Sequence, residues 1–152
     1  MSQAKFEKTL YAGWGDMDFN SHMRNTAFLD KSGDVRMMFF TENGFSGRQM
    51  AKLRIGPVIM KDELEYFREI NLLEDIIVSL SLAGLSNDGS RFCIRNDFFS
   101  SEKKLAARVT STGGWLDLNV RKLTIPPPEL KIILQSLSKT DDFQEMPSSI
   151  KV

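Results

Sequence analysis

The chain has 152 residues, 41% of them hydrophobic and 26% charged, with 20 basic residues against 20 acidic ones. That length and composition fit one domain able to bury its own core, and the lack of a basic excess argues against a general binder of nucleic acid or membrane surfaces. The single cysteine, Cys93, rules out an intrachain disulfide and a cysteine-based zinc cluster, and reads as a small buried or half-buried apolar residue.

Residues Met1 to Glu7 carry no apolar core of a signal peptide. No apolar run approaches the roughly 20 residues that a membrane helix needs, so a cytoplasmic protein is expected. Phe6, Lys8, Leu10, Ala12 and Trp14 alternate with Glu7, Thr9, Tyr11 and Gly13, which predicts a first strand. Gly13 and Gly15 break it, and a polar loop follows in which Asn20 or Ser21 turns the chain. Asn25 is the expected N-cap of a helix of about 17 residues that ends near Gly44 and places Phe28, Ser32, Val35 and Phe39 on one face. Gly33 sits inside it, either pressed closely against a sheet or tolerated on the surface.

Asn43-Gly44 and Ser46-Gly47 punctuate a predicted loop running to Gly56-Pro57. The next strand reads Val58, Met60, Leu64 and Tyr66 on one face and Lys61, Glu63 and Glu65 on the other. Ile76 to Ala83 alternates as a half-buried strand, Asn87-Asp88-Gly89-Ser90 is a hairpin signal, and Phe92 to Phe98 is its partner. After a turn at Ser101 to Lys104, Leu105 to Thr124 reads as one long strand bent or bulged at Gly113-Gly114. Pro126-Pro127-Pro128 stops it, and Glu129 to Ser138 has the apolar spacing of a short helix. Thr140 to Val152 is polar and is expected as a loose tail beyond a single domain over 1–139. One amphipathic helix and five half-buried strands predict an α+β fold in which the helix lies against one antiparallel sheet.

Chemistry concentrates between Trp14 and Asn25, where W-G-D-M-D-F-N-S-H-M-R-N holds Asp16, Asp18, the only histidine, His22, and Asn25. The first N–H groups of a helix are unpaired donors and the dipole there favours negative charge. A carboxylate just before that end can act as base or nucleophile while the N–H groups receive an oxyanion. Read without further context, each residue also has a plainer role. An aspartate turns or caps a loop, His22 holds the loop by hydrogen bonds, and Asn25 caps the helix. Glu63 and Glu65 read as solvated charge. No G-x-S-x-G elbow accompanies the histidine, no H-x-x-x-H supports a metal, and no Walker A or G-x-G-x-x-G segment occurs.

Trp14-Gly15-Asp16-Met17-Asp18, then His22-Met23-Arg24-Asn25, Phe28-Leu29 and Asp34-Val35-Arg36 resemble the start of the 4-hydroxybenzoyl-CoA thioesterase-like family of hot-dog acyl-CoA thioesterases. Glu63 to Arg68 resembles that family's second strand, and the resemblance spans roughly residues 6 to 125. It implies a hot-dog fold, with a long central helix wrapped by a five-stranded antiparallel sheet, assembled as a homodimer or homotetramer. The implied reaction is hydrolysis of an acyl-CoA or acyl-carrier-protein thioester to a free acid and a thiol. Asp18 would be nucleophile or general base, the Asn25 backbone N–H the oxyanion donor, and Asp16 the residue that holds the loop. His22 would orient substrate or water. Coenzyme A enters as part of the substrate, not as a cofactor. Arg91, Arg95, Lys103, Lys104 and Arg108 supply cations in the last hairpin, either for its phosphates or merely as a solvated edge. The chain departs from the common pattern at Asn20-Ser21, where small residues are frequent. A non-catalytic acyl-thioester binding module and a hot-dog hydratase or dehydratase are the competing expectations.

Overall fold

Helix α1, Asn25–Glu42, is the axis of the computed structural model, which describes residues 5–151. The expectation for Met1–Glu7 falls mostly outside them. Residues Ala27, Phe28, Ser32, Val35, Arg36, Phe39 and Phe40 are buried along the helix, the i, i+3, i+4 recurrence of one face. The helix ends in a Schellman motif. Gly44, at φ +90°, follows the C-cap; its N–H bonds to Thr41 O at 3.2 Å and the Phe45 N–H to Phe40 O at 2.8 Å. At the other end Arg24, not Asn25, is the N-cap, and it offers no side-chain cap bond. A Cβ at Gly33 would meet nothing within 4 Å, so packing inside one chain does not require that glycine.

Around α1 run β1 (Phe6–Tyr11), β2 (Ile55–Tyr66), β3 (Asp75–Ser86), β4 (Arg91–Phe99) and β5 (Leu105–Asp117), in the sheet order β1-β3-β4-β5-β2 with every pair antiparallel. This is the expected hot-dog arrangement. Phe28 meets Phe98 edge-on at 5.2 Å, Phe39 meets Phe6 at 5.2 Å, and Phe40 meets Trp115 at 5.6 Å, so aromatic side chains bind helix to sheet along its length.

The sheet has seven strands among the described residues rather than the five expected. The long strand predicted over Leu105 to Thr124 turns after Asp117 and returns as β6, Lys122–Thr124, with Arg121 at φ 59°. The segment expected as a loose tail forms β7, Lys139–Met146, parallel to β3 from Leu82 to Ser86. β1 pairs β3 only up to Leu80, so the remaining edge of β3 has open hydrogen-bonding groups that β7 fills. Thr140, Phe143 and Met146 are its half-buried positions. That period of three hides the strand from a search for alternation. Among the described residues there are two further α-helices, α2 (Gly47–Leu53), where a loop was expected, and α3 (Pro128–Gln135). α2 is capped by Ser46, whose side chain accepts from Gln49 N–H at 3.2 Å. No described helix is long and apolar enough to cross a membrane.

The bulge expected near Gly113-Gly114 falls on the facing strand, between Ile59 and Lys61. A Cβ at Gly113 would lie 2.3 Å from Val58 O, so a side chain there is incompatible with this close approach. The bulge changes the phase of β2. Asp62, Leu64 and Tyr66 pair with Ser111, Val109 and Ala107 on the helix side, whereas Val58, paired with Gly114, is on the outer side. The single apolar face expected for Val58, Met60, Leu64 and Tyr66 is therefore split.

Candidate active site

The loop after β1 folds back on itself before it enters α1. Trp14–Asp16 is one 3₁₀ turn, in which Asp16 N–H donates to Gly13 O at 3.0 Å and Asp16 Oδ2 accepts the Gly13 N–H at 2.8 Å. The same carboxylate pairs with Lys31 Nζ at 2.9 Å, which ties the loop to α1. Burial pushes the Asp16 carboxyl up, but hydrogen bonds from Lys31 and the Gly13 N–H and the charges of Lys31 and Arg24 outweigh it and hold it below the usual value. Asp16 thus sits where a loop-holding residue belongs.

Beyond it the chain makes a miniature hairpin. Arg24 N–H bonds to Asp16 O at 2.8 Å, Met17 bridges Met23, and Asp18 N–H bonds to His22 O at 2.7 Å. Ser21, at φ 61°, turns the tip. Asp18 Oδ1 accepts two backbone N–H groups, from Asn20 at 2.8 Å and His22 at 3.1 Å. Its Oδ2 has no partner among the described residues, and the side chain faces solvent. One oxygen therefore fixes the carboxylate and the other is open.

His22 meets Asp18 through its backbone N–H, while its ring turns the other way, with Nε2 3.1 Å from Glu69 Oε2. The loop is anchored on the same side by the His22–Asn71 bridge and by Met23 N–H on Ile70 O at 2.8 Å. Asn25 is the first residue of α1 and is exposed. At that position the N–H has no intrahelical acceptor, and the N-cap position itself belongs to Arg24.

Three residues join this group that sequence reading did not assign to it. The Tyr66 hydroxyl donates to Asn25 O at 3.4 Å, and its ring packs edge-on against Phe28 at 5.6 Å; burial raises its pKa. Arg24 wraps the helix start, with Nε on Thr26 Oγ1 at 2.9 Å and Nη1 on Gly15 O. Glu69 holds the histidine ring. Arg24 lies within the motif and Tyr66 was readable as a residue of the apolar face of β2, but nothing local in the sequence links Glu69 to the loop. Trp14 and Phe19, on the same loop as Asp18, are 81% and 103% exposed. Of the last-hairpin cations, Arg91, Arg95 and Arg108 lie elsewhere, on the outer face of the sheet, where Arg95 forks onto Asp142 and Arg108 onto Asp97, and Lys103 and Lys104 lie in the turn between β4 and β5.

Among the solved structures that share this fold are the three that follow. A hypothetical protein from Staphylococcus aureus in complex with CoA superposes with a TM-score of 0.81 at 16% identity, over 100% of this chain and 92% of that one. A 1,4-dihydroxy-2-naphthoyl-CoA thioesterase from Synechocystis gives 0.77 at 15% identity, over 87% and 96%. A probable thioesterase from Escherichia coli gives 0.73 at 20% identity, over 88% and 99%. A comparison with curated proteins finds no match. The sequence profile of the thioesterase-like superfamily matches residues 12–134, a span that contains the loop, α1 and β2 to β5, and the chain belongs to that superfamily.

Proposed function

We propose that the chain hydrolyses an acyl-CoA or acyl-carrier-protein thioester to a free acid and a thiol. The observation that carries this reading is the Asp18 carboxylate, pinned through Oδ1 and open at Oδ2, on a loop that leads directly into the unpaired N–H of Asn25. Attack on a thioester carbonyl needs both parts. Asp18 either deprotonates the attacking water or adds to the carbonyl carbon itself, and the helix-start N–H receives the charge that moves onto oxygen. Collapse of the tetrahedral species breaks the C–S bond, and the thiolate leaves and takes up a proton; where Asp18 itself has added, water then cleaves the mixed anhydride, releasing the acid and restoring the carboxylate. His22, its ring held by Glu69, orients the loop beside that water. The superfamily, and a fold neighbour solved with CoA, support a CoA thioester as substrate. Coenzyme A is then cargo, and no further cofactor is invoked.

The same reading includes assembly. Ile59 and Met60, on edge strand β2, are 39% and 47% exposed. An open edge of this kind favours pairing with another strand, and a second copy along β2 would complete the walls around Tyr66 in a homodimer or homotetramer. The test of the function is a panel of acyl-CoAs with a thiol-detecting dye. Thiol release supports the proposal. Binding without release marks a non-catalytic module, and release of water-addition products instead marks a hydratase.

A further inference from the structure

The chain is neutral as a whole, but its charge is segregated. Residues 47–61 hold Arg48, Lys52, Arg54 and Lys61 and no Asp or Glu, and residues 118–128 hold Arg121 and Lys122 and again no acid. The fold joins these two runs. Leu118 N–H bonds to Arg54 O at 2.9 Å, and Arg54 Nε donates to Asn119 Oδ1 at 3.1 Å. The end of α2 and the turn between β5 and β6 therefore form one end of the molecule. Lys61 pairs with Glu63, but Arg48, Lys52, Arg54, Arg121 and Lys122 are exposed and form no ion pair among the described residues. Asp117 borders the patch; it is half-buried, and its Oδ1 accepts the Asn119 and Val120 N–H groups.

Two features set this end apart from an ordinary solvated edge. Leu53, 43% exposed, stands between Lys52 and Arg54, and Val120, 61% exposed, precedes Arg121 and Lys122. Each connection thus carries an aliphatic side chain into solvent among cations. Arg54 at φ 53° and Arg121 at φ 59° also occupy left-handed backbone, which favours glycine or asparagine, so local conformation gives neither arginine an advantage at its position. The two runs contain no aromatic residue. They therefore offer neither the stacking platform of a single-stranded nucleic-acid site nor the aromatic anchor of a protein interface. Aliphatic tips among cations match the surface of an anionic bilayer, where apolar groups enter the headgroup boundary and Lys or Arg meet lipid phosphates.

We propose that this end docks the protein on an anionic lipid surface, with Leu53 and Val120 in the headgroup layer and Arg48, Lys52, Arg54, Arg121 and Lys122 on its phosphates. β2 starts here, at Ile55, and ends at Tyr66 beside the start of α1. Along the strand that is roughly 36 Å, at a rise of about 3.3 Å per residue. The docked face is therefore remote from the candidate active site, and the inference stands independently of the reaction proposed there.

The test is flotation of the full chain with vesicles of phosphatidylcholine alone and of phosphatidylcholine mixed equally with phosphatidylglycerol, at low and at raised NaCl. Binding to the mixed vesicles only, weakened by salt, is expected. Each cation near an anionic surface contributes roughly fivefold, so the triple change Lys52→Gln, Arg121→Gln and Lys122→Gln should lower the partition coefficient on the order of a hundredfold. The double change Leu53→Ser and Val120→Ser keeps every charge and should still weaken binding about tenfold. All five positions are exposed. Melting curves identify folded variants, and if one set does not fold the other decides. Failure of the parent to bind the mixed vesicles, equal binding to both kinds of vesicle, or undiminished binding by the charge variant overturns the proposal. Undiminished binding by the Leu53 and Val120 variant overturns the lipid assignment and leaves a general polyanion site, of the kind an acidic protein would use.

Discussion

Replacing Asp18 by asparagine isolates the charge that the proposed reaction needs. Asp18 Oδ1 accepts the Asn20 and His22 N–H groups at 2.8 and 3.1 Å and so holds the loop tip. An asparagine keeps a carbonyl oxygen for those donors and loses only the anion, which is exposed at Oδ2. Alanine would remove the anion and both acceptors together, and loss of such a local cap costs about 1 kcal/mol, so it would confound rate with loop order. Loss of a general base or nucleophile costs about 10² to 10⁴ in kcat, which at 1.36 kcal/mol per decade is about 3 to 5 kcal/mol of barrier. Initial rates of thiol release at saturating acyl-CoA, with melting curves on the same preparations, should show that loss at an unchanged Tm. KM should change less than kcat. Turnover within a few-fold of the parent, at unchanged Tm, would refute Asp18 as the acting carboxylate. Asp16 could take its place only by giving up Lys31 and the Gly13 N–H, which already occupy it.

Asn25→Ala should keep both rate and stability, because Arg24 and not Asn25 is the N-cap; Asn25→Pro, tolerated at a first helical position, removes the N–H and should cost about 10² to 10³ in kcat, provided circular dichroism shows α1 intact. An inactive, fully stable Asn25→Ala would move the role to the amide. Asp16→Asn should lower Tm more than it lowers kcat per folded molecule. The Asp16 carboxyl is held below its usual value, so its stabilisation is complete above the unfolded carboxylate range and is lost as pH falls through the folded pKa. Melts from neutral to acid pH should therefore fall less steeply in the variant than in the parent. Light scattering at micromolar concentration should give a dimer or tetramer, and a fully active monomer would remove the second copy from the site.

How far the sequence reveals this molecule depends on the range of the interactions. β3 and β4 bury alternate residues, and their alternation is visible because one face of each meets α1. The loop from Trp14 to Asn25 is visible because the Asp16 and Asp18 carboxylates accept backbone N–H groups within a few positions of themselves. α2 is hidden by its brevity and by the glycines around it, and β7 by a burial period of three. The helix start is displaced by one residue because Arg24, a poor capping residue, takes the place that composition assigns to Asn25. Arg36 is on the buried face although it is charged, and only Asn96 and Ser111, 60 and 75 residues away, explain it.

The bulge in β2 shows why such distant partners are not legible locally. Up to Ile59 the strand pairs in one phase, and from Lys61 in the other. Without the extra residue, strict alternation from Ile59 would turn Lys61, Glu63 and Glu65 toward α1, and Leu64 and Tyr66 toward the outer face. Three charges would then stand against Phe28 and the helix start, where the structure has Asp62 on Ser111, half-buried Leu64 and the Tyr66 hydroxyl at Asn25 O. The close approach that allows the shift is made at Gly113, where a Cβ would strike Val58 O. A glycine on β5 thus permits the phase of β2, and that phase decides which β2 side chains face α1 and which of them reach its start.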